Sequence, residues 1–119
     1  MRPRFLLDEH VNRAIQRQLR RRCVELVVLA IGDPEAPPTG TADPDLLVWL
    51  EQHGYLLVTE NRSTMPEHLA THFAAGRHIP GILWIRPGVR VGRLIDELFL
   101  IWSCSTADEY QDAQLFIPL

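Results

Sequence analysis

Six oxygen-bearing residues fall where one cation could draw them together. Asp8 and Glu9 end the apolar run Phe5, Leu6, Leu7 in "RFLLDEH" at positions 4–10. Asp43 and Asp45 open the segment "DPDLLVWLEQHG". Glu60 and Asn61 follow the apolar run "YLLVT" at positions 55–59. Hard oxygen donors of this kind suit Mg²⁺ or Mn²⁺, which take one or two carboxylates, several waters and substrate phosphate oxygens. A metal so held polarises a phosphoryl oxygen and activates water for in-line attack. Each acid also has an ordinary use. Asp43 fits the N-cap of its own helix. Asp45 fits the helix dipole, and Glu9 fits a solvent-facing position. Asp8 is harder to assign to structure alone, because a carboxylate ending a buried strand needs a partner.

For these residues to meet, their elements must share an edge. Residues 4–8 read as a short apolar strand, buried on both faces as in parallel sheets. "VNRAIQRQLRRR" places Val11, Ile15 and Leu19 at helical spacing. "VELVVLA" at 24–30 is β-branched and reads as a second strand. "IGDPEAPPTGTA" is a loop by its prolines and glycines. "DPDLLVWLEQHG" is a helix with Asp43 at the N-cap, Pro44 at the first turn and Gly54 as the stop. A third strand at 55–59 follows. "TMPEHLATHFAAG" is a helix with a Thr64–Glu67 capping box. "GILWI" at 81–85 is a fourth strand, and "VGRLIDELFLIWSC" a long amphipathic helix. "TADEY" repeats the capping-box pattern, and the tail "AQLFIPL" supplies either a short fifth strand or none.

Strand–helix alternation predicts α/β architecture. It implies three layers, α/β/α, around a mostly parallel central sheet of four to five strands with right-handed crossovers. Sites on open parallel sheets form outside the carboxyl ends of the strands. Asp8, Glu9, Glu60 and Asn61 sit at that edge. A helix running back across the sheet begins there too, which brings in Asp43 and Asp45.

A length of 119 residues suits one domain spanning 1–119. The apolar fraction of 46% is enough for a core. No run approaches a membrane span, and the N-terminus lacks the pattern of a signal peptide. The expectation is a cytoplasmic protein with no membrane partner. Net charge is −3, so no global basic field attracts nucleic acid. All twelve basic residues are Arg, and "RRR" at 20–22 follows Arg13 and Arg17 on one helix. They either recognise phosphate or form a solvated helix end.

The chain resembles the PIN-like domains of bacterial proteins, relatives of PIN-domain ribonuclease toxins. The resemblance rests on "FLLDEH", "GTADPDLLVWLEQHGYLLVTEN", "TMPEHLATHFAAG" with "PGILWIRPG", and "IDELFLIWSCSTADEY", which cover nearly the whole chain. The family layout has an Asp after the first strand, matched by Asp8, and an acid pair opening the second helix, matched by Asp43 and Asp45. It also has an Asp in a "T-x-D" ending, where this chain has Asn61 in "TEN". The resemblance implies Mg²⁺- or Mn²⁺-dependent cleavage of RNA phosphodiesters. Asp8, with Asp43 or Asp45, would hold the metal, and Asn61 or Glu60 would complete the shell. Arg62 or arginines of the first helix would position the RNA backbone. It also implies an antitoxin protein as partner. The alternative, motivated by Asn61 and the negative charge, is a non-catalytic relative that binds a partner protein or RNA.

Other signals are weaker. His68 and His72 have zinc-compatible helical spacing but no third ligand at fixed spacing, and fit a solvated or half-buried pair. Ser63 and Thr64 could touch a phosphate at a helix N-terminus, though capping suits Thr64 better. Trp49, Trp84 and Trp102 read as core. Cys23 and Cys104 read as reduced thiols. Leu98, Phe99, Ile101 and Trp102 on the last helix supply either core or a homodimer face.

Overall fold

The computed structural model describes residues 1–119. Five strands alternate with four helices: β1 (Phe5–Leu7), α1 (Ala14–Arg22), β2 (Val28–Ala30), α2 (Asp43–His53), β3 (Leu56–Thr59), α3 (Met65–Ala74), β4 (Ile82–Ile85), α4 (Val91–Cys104) and β5 (Gln114–Ile117). A short 3₁₀ turn, Ala107–Tyr110, precedes β5. All pairings are parallel, in the order β2-β1-β3-β4-β5. The tail therefore does supply the fifth strand, and β1 and β3 are neighbours.

Side-chain alternation sorts the strands onto two faces. Phe5, Leu7, Val28, Ala30, Leu56, Val58, Leu83, Ile85 and Ile117 pack against α1 and α4. Leu6, Leu29, Leu57, Ile82 and Trp84 pack against α2 and α3. Both faces of the central strands are covered, which accounts for their unbroken apolar runs. Leu6 and Leu57 have 0% exposure. Truncating either to Ala costs about 2–5 kcal/mol through lost burial and a cavity.

Three expectations need correction. β2 spans three residues and not the whole of 24–30, because the chain turns at 23–26, where the Leu26 amide bonds to the Cys23 carbonyl at 3.2 Å. Val24 is left 95% exposed. α1 starts at Ala14, where the Asn12 side chain accepts the Ala14 amide at 2.9 Å; Val11 is buried from the preceding turn.

The third correction concerns handedness. From β1, α1 steps to one side across one face. α2 and α3 step the other way across the opposite face. Reversing both direction and face preserves the hand, so these three crossovers share it. α4 steps in the same direction as α3 but across the face of α1, so its hand is opposite. The physical reason is burial. Leu94, Ile95, Leu98, Ile101 and Trp102 cover the side of β3 and β4 that α1 alone would leave bare. Arg22 of α1 ties the pair together, bonding Asp96 of α4 at 2.5 Å. Trp102 is core, as its pattern suggests, and Phe99 is partly buried beside it.

Candidate functional site

Strand order 2-1-3-4-5 reverses direction between β1 and β3, and open α/β sheets bind ligands outside the carboxyl ends of strands at that point. Register explains which residues meet there. Leu7 pairs with Val58, so Asp8 lies beside Thr59. Alternation turns both to the side of α2 and α3. The Thr59 hydroxyl donates to Asp8 Oδ2 at 2.6 Å. Asp8 Oδ1 accepts the Glu9 amide at 2.8 Å. This half-buried carboxylate thus has the partner that its position demands.

Asn61 stands next in line on the same side. Its backbone N–H donates to Thr59 Oγ1 at 3.0 Å. Its side-chain Nδ2 donates to Thr64 Oγ1 at 3.1 Å and, at the long distance of 3.4 Å, to Asp43 Oδ2. The Thr64 hydroxyl donates to Asp43 Oδ2 at 2.7 Å. Asn61 therefore reaches both aspartates through one threonine hydroxyl each. The Ser63 hydroxyl donates to Asn61 Oδ1 at 3.1 Å.

Two capping expectations fail here for one reason. Ala42, not Asp43, is the N-cap of α2, and Asp43 is its first residue. Thr64 is the N-cap of α3, but its hydroxyl makes no cap bond. Each side chain is engaged with the other. The carboxylate of Asp43 still sits at a helix N-terminus, where the dipole favours negative charge.

These residues line a cleft of about 450 Å³ formed by Asp8, Glu9, His10, Val11, Thr41, Asp43, Glu60, Asn61 and Ser63. Only Val11 is apolar, and four lining residues are carboxylates. No Arg lines it. Such a cleft is strongly negative and repels phosphate unless a cation screens it. Asp45 is exposed in the first turn of α2 and stays outside the lining. Glu60 is exposed and lines the cleft from the opposite parity to Asn61. No group of three or more His, Cys, Asp or Glu side chains converges closely enough to hold a metal.

Hard oxygen donors nonetheless remain. A carboxylate oxygen has two lone pairs, and Asp8 uses one on each oxygen. Asp43 Oδ1 takes no hydrogen bond from the chain. Two carboxylates match the sparse protein ligation that a hydrated Mg²⁺ accepts. Asn61 Oδ1 joins them only by releasing the Ser63 hydroxyl at 3.1 Å or the Thr64 amide at 3.4 Å.

Several participants carry no signal in the local sequence. Glu9 is exposed, as expected, yet its Oε1 accepts the Gly40 amide at 2.7 Å and anchors the 31–42 loop over the cleft. Thr59 looks like strand filler until its register against Asp8 is known. Asp33, in the same loop, receives Gln16 Nε2 at 2.7 Å, Arg13 at 3.0 Å and the Ala30 amide at 2.9 Å. Burial works against its charge, but these donors outweigh it and hold its carboxyl below the ordinary range. Arg13 is thereby committed to the loop, and Arg20 to the Val28 carbonyl at 2.8 Å. Those arginines fasten α1 and do not face the cleft.

The two helix histidines serve apart. His68 is half-buried, whereas buried His72 bonds the His78 carbonyl at 2.9 Å and approaches Glu51 at 3.3 Å. Cys23 and Cys104 are free thiols. No helix is long and apolar enough to cross a membrane.

Comparison with family models, curated proteins and solved structures finds no match to this chain.

Proposed function

We propose that this chain is a PIN-like, divalent-metal-dependent ribonuclease. The observation that carries the reading is the convergence of Asp8, Asp43 and Asn61 on one acidic cleft at the β1/β3 switch point. These are the positions at which the resemblance puts its metal site. Asp8 and Asp43 would hold Mg²⁺ or Mn²⁺, with Asn61 Oδ1 or Glu60 as further donors. When bound, the metal supplies Lewis acidity and a water nucleophile at neutral pH.

The chain's own residues orient and gather. Thr59 and Thr64 fix the two carboxylates, each by a short charge-assisted hydrogen bond. The 31–42 loop, held by Glu9 and Asp33, forms one wall of the cleft. Arg62, between two cleft residues, supplies a cation for the RNA backbone. An antitoxin-type protein that covers the cleft belongs to the same proposal.

A second reading has its own observation. Asn61 gives hydrogen bonds toward both aspartates where the family layout has a third carboxylate. A site stabilised in this way without metal suits a non-catalytic relative that binds RNA or a protein. Incubation of a labelled single-stranded RNA with Mn²⁺ separates the two. Cleavage by the parent that is lost in Asp8→Asn supports the nuclease. Intact RNA with both proteins supports the binding module.

A further inference from the structure

The outermost strand has an open half-face. On β5, Leu115 and Ile117 turn toward α1 and α4, so Gln114 and Phe116 turn toward the side of α2 and α3. Had α4 crossed with the hand of the other three helices, it would cover them. It lies on the other face instead, and Phe116 is left 47% exposed. Its register partner Trp84, one strand inward, is 3% exposed.

Two arginines approach the exposed ring. The Arg62 and Arg86 guanidinium carbons lie 5.9 and 5.7 Å from its centroid. Both are anchored by a single contact: Arg62 Nη2 donates to the Ile85 carbonyl, and Arg86 Nε donates to the Pro118 carbonyl at 2.8 Å. A guanidinium carries five N–H donors, so each keeps others for a ligand. The strand beneath is held firmly. The Arg86 amide bonds to the Ile117 carbonyl at 2.9 Å. Where β4 begins, a side chain on Gly81 would come within 2.7 Å of the Tyr110 carbonyl, so glycine permits the close approach of the segment leading to β5.

The ring also lies on the side that carries the cleft. Arg62 sits between Asn61 and Ser63, which both line it. From β3 to β5 is two strand spacings, about 10 Å. A half-exposed aromatic ring beside two cations that keep free donors is what a base and its phosphates require. Base–aromatic stacking is tolerant of sequence, and arginine neutralises the backbone.

We propose that Phe116, with Arg62 and Arg86, is a stacking subsite for one base of a single-stranded nucleic acid whose backbone runs on toward the cleft. This extends the ribonuclease reading but is tested apart from it, without metal. Anisotropy of a fluorescein-labelled single-stranded RNA, short enough to span the ring without entering the unscreened acidic cleft, is measured in EDTA with the parent, Phe116→Ala, Phe116→Tyr and Arg86→Ala. An abasic strand of the same length is the second ligand.

Phe116→Ala is expected to bind RNA about tenfold more weakly, with Phe116→Tyr close to the parent. The abasic strand should bind weakly and equally to those three proteins. Arg86→Ala should weaken both strands. Equal RNA affinity of Phe116→Ala and the parent overturns the subsite, as does equal loss on the abasic strand or no binding by the parent. A dimer in solution that Phe116→Ala dissociates also overturns it, because the ring is then covered by a second copy. Cleavage in Mn²⁺, lost in Asp8→Asn, is scored separately. Cleavage without Phe116-dependent binding removes only the subsite, and Phe116-dependent binding without cleavage removes only the nuclease.

Discussion

Asp8 and Asp43 stand on different elements, yet each carboxylate accepts a threonine hydroxyl, from Thr59 at 2.6 Å and Thr64 at 2.7 Å. Both hydroxyls in turn accept a hydrogen from Asn61, one from its backbone and one from its amide. The hydroxyls must point their protons at the carboxylates, because their acceptor lone pairs face Asn61. The two aspartates are thereby fixed in direction before any ligand arrives, the form of preorganisation that electrostatic catalysis uses.

Thr59→Val tests that relay on the Asp8 side. Valine keeps the shape and removes the hydroxyl. The expected loss is about 1.5–3 kcal/mol by urea unfolding, the range for a hydrogen bond to a charged group. Combined with Asp8→Ala, the losses should be clearly less than additive, because the pair shares one interaction. Full additivity would show that the bond contributes nothing.

Asp43→Ala and Asp43→Ser separate the Thr64 contact from capping. Ala42 is the N-cap, so serine at 43 has no cap to restore. Both variants should lose the Thr64 bond and the dipole contribution of about 0.3–1 kcal/mol. A serine variant as stable as the parent, with alanine well below, would return Asp43 to a capping role.

Much of this was legible in the sequence, and the parts that were not have physical causes. Strand–helix alternation and the apolar runs announced the parallel sheet. Asp8, Asp43, Glu60 and Asn61 were placed on one edge by topology alone. What failed was what depends on partners distant in sequence. Asp43 and Thr64 are both good capping residues, and nothing local reveals that each binds the other across two helices. Val24 carries strand propensity but has no neighbour to pair with, and at Val27 only the carbonyl joins the ladder, accepting the Phe5 amide at 3.0 Å, so β2 is shorter than its apolar run. The hand of the last crossover follows from which face needed covering, and Phe116 is exposed as a consequence.

Asn61→Asp addresses the departure from the family layout. The new carboxylate replaces an amide donor beside Asp43 and adds like charge near Asp8. Without metal the variant should be less stable than the parent. With Mn²⁺ it should gain more, since a full charge attracts the ion better than an amide dipole. Asn61→Ala, lacking both donor and charge, should show the smallest gain. Thermal melting with and without Mn²⁺ reads all three, and identical gains would place Asn61 outside any metal site.

Asp33 gives a pH dependence. Its folded-state pKa lies below the ordinary value of 3.8, through the Ala30 amide, Gln16 and Arg13 against the opposing effect of burial. The unfolded chain therefore takes up this proton first as pH falls. The stabilisation is complete well above 3.8 and is lost as pH drops through the folded value. Asp33→Asn should flatten the acid limb of stability below about pH 4 and loosen the 31–42 loop. An unchanged acid limb in Asp33→Asn would assign it to other carboxylates.

The central claim is that Asp8 and Asp43 jointly hold a divalent cation in this cleft. The most direct measurement is the melting temperature during a Mn²⁺ titration of the parent, Asp8→Asn and Asp43→Asn. A ligand that binds only the folded state adds about 1.4 kcal/mol at ten times its dissociation constant. For a domain of this size that is a rise of about 5 °C. The account predicts this rise in the parent and its loss in both variants. No rise in the parent at millimolar Mn²⁺, or an equal rise in all three proteins, would contradict it.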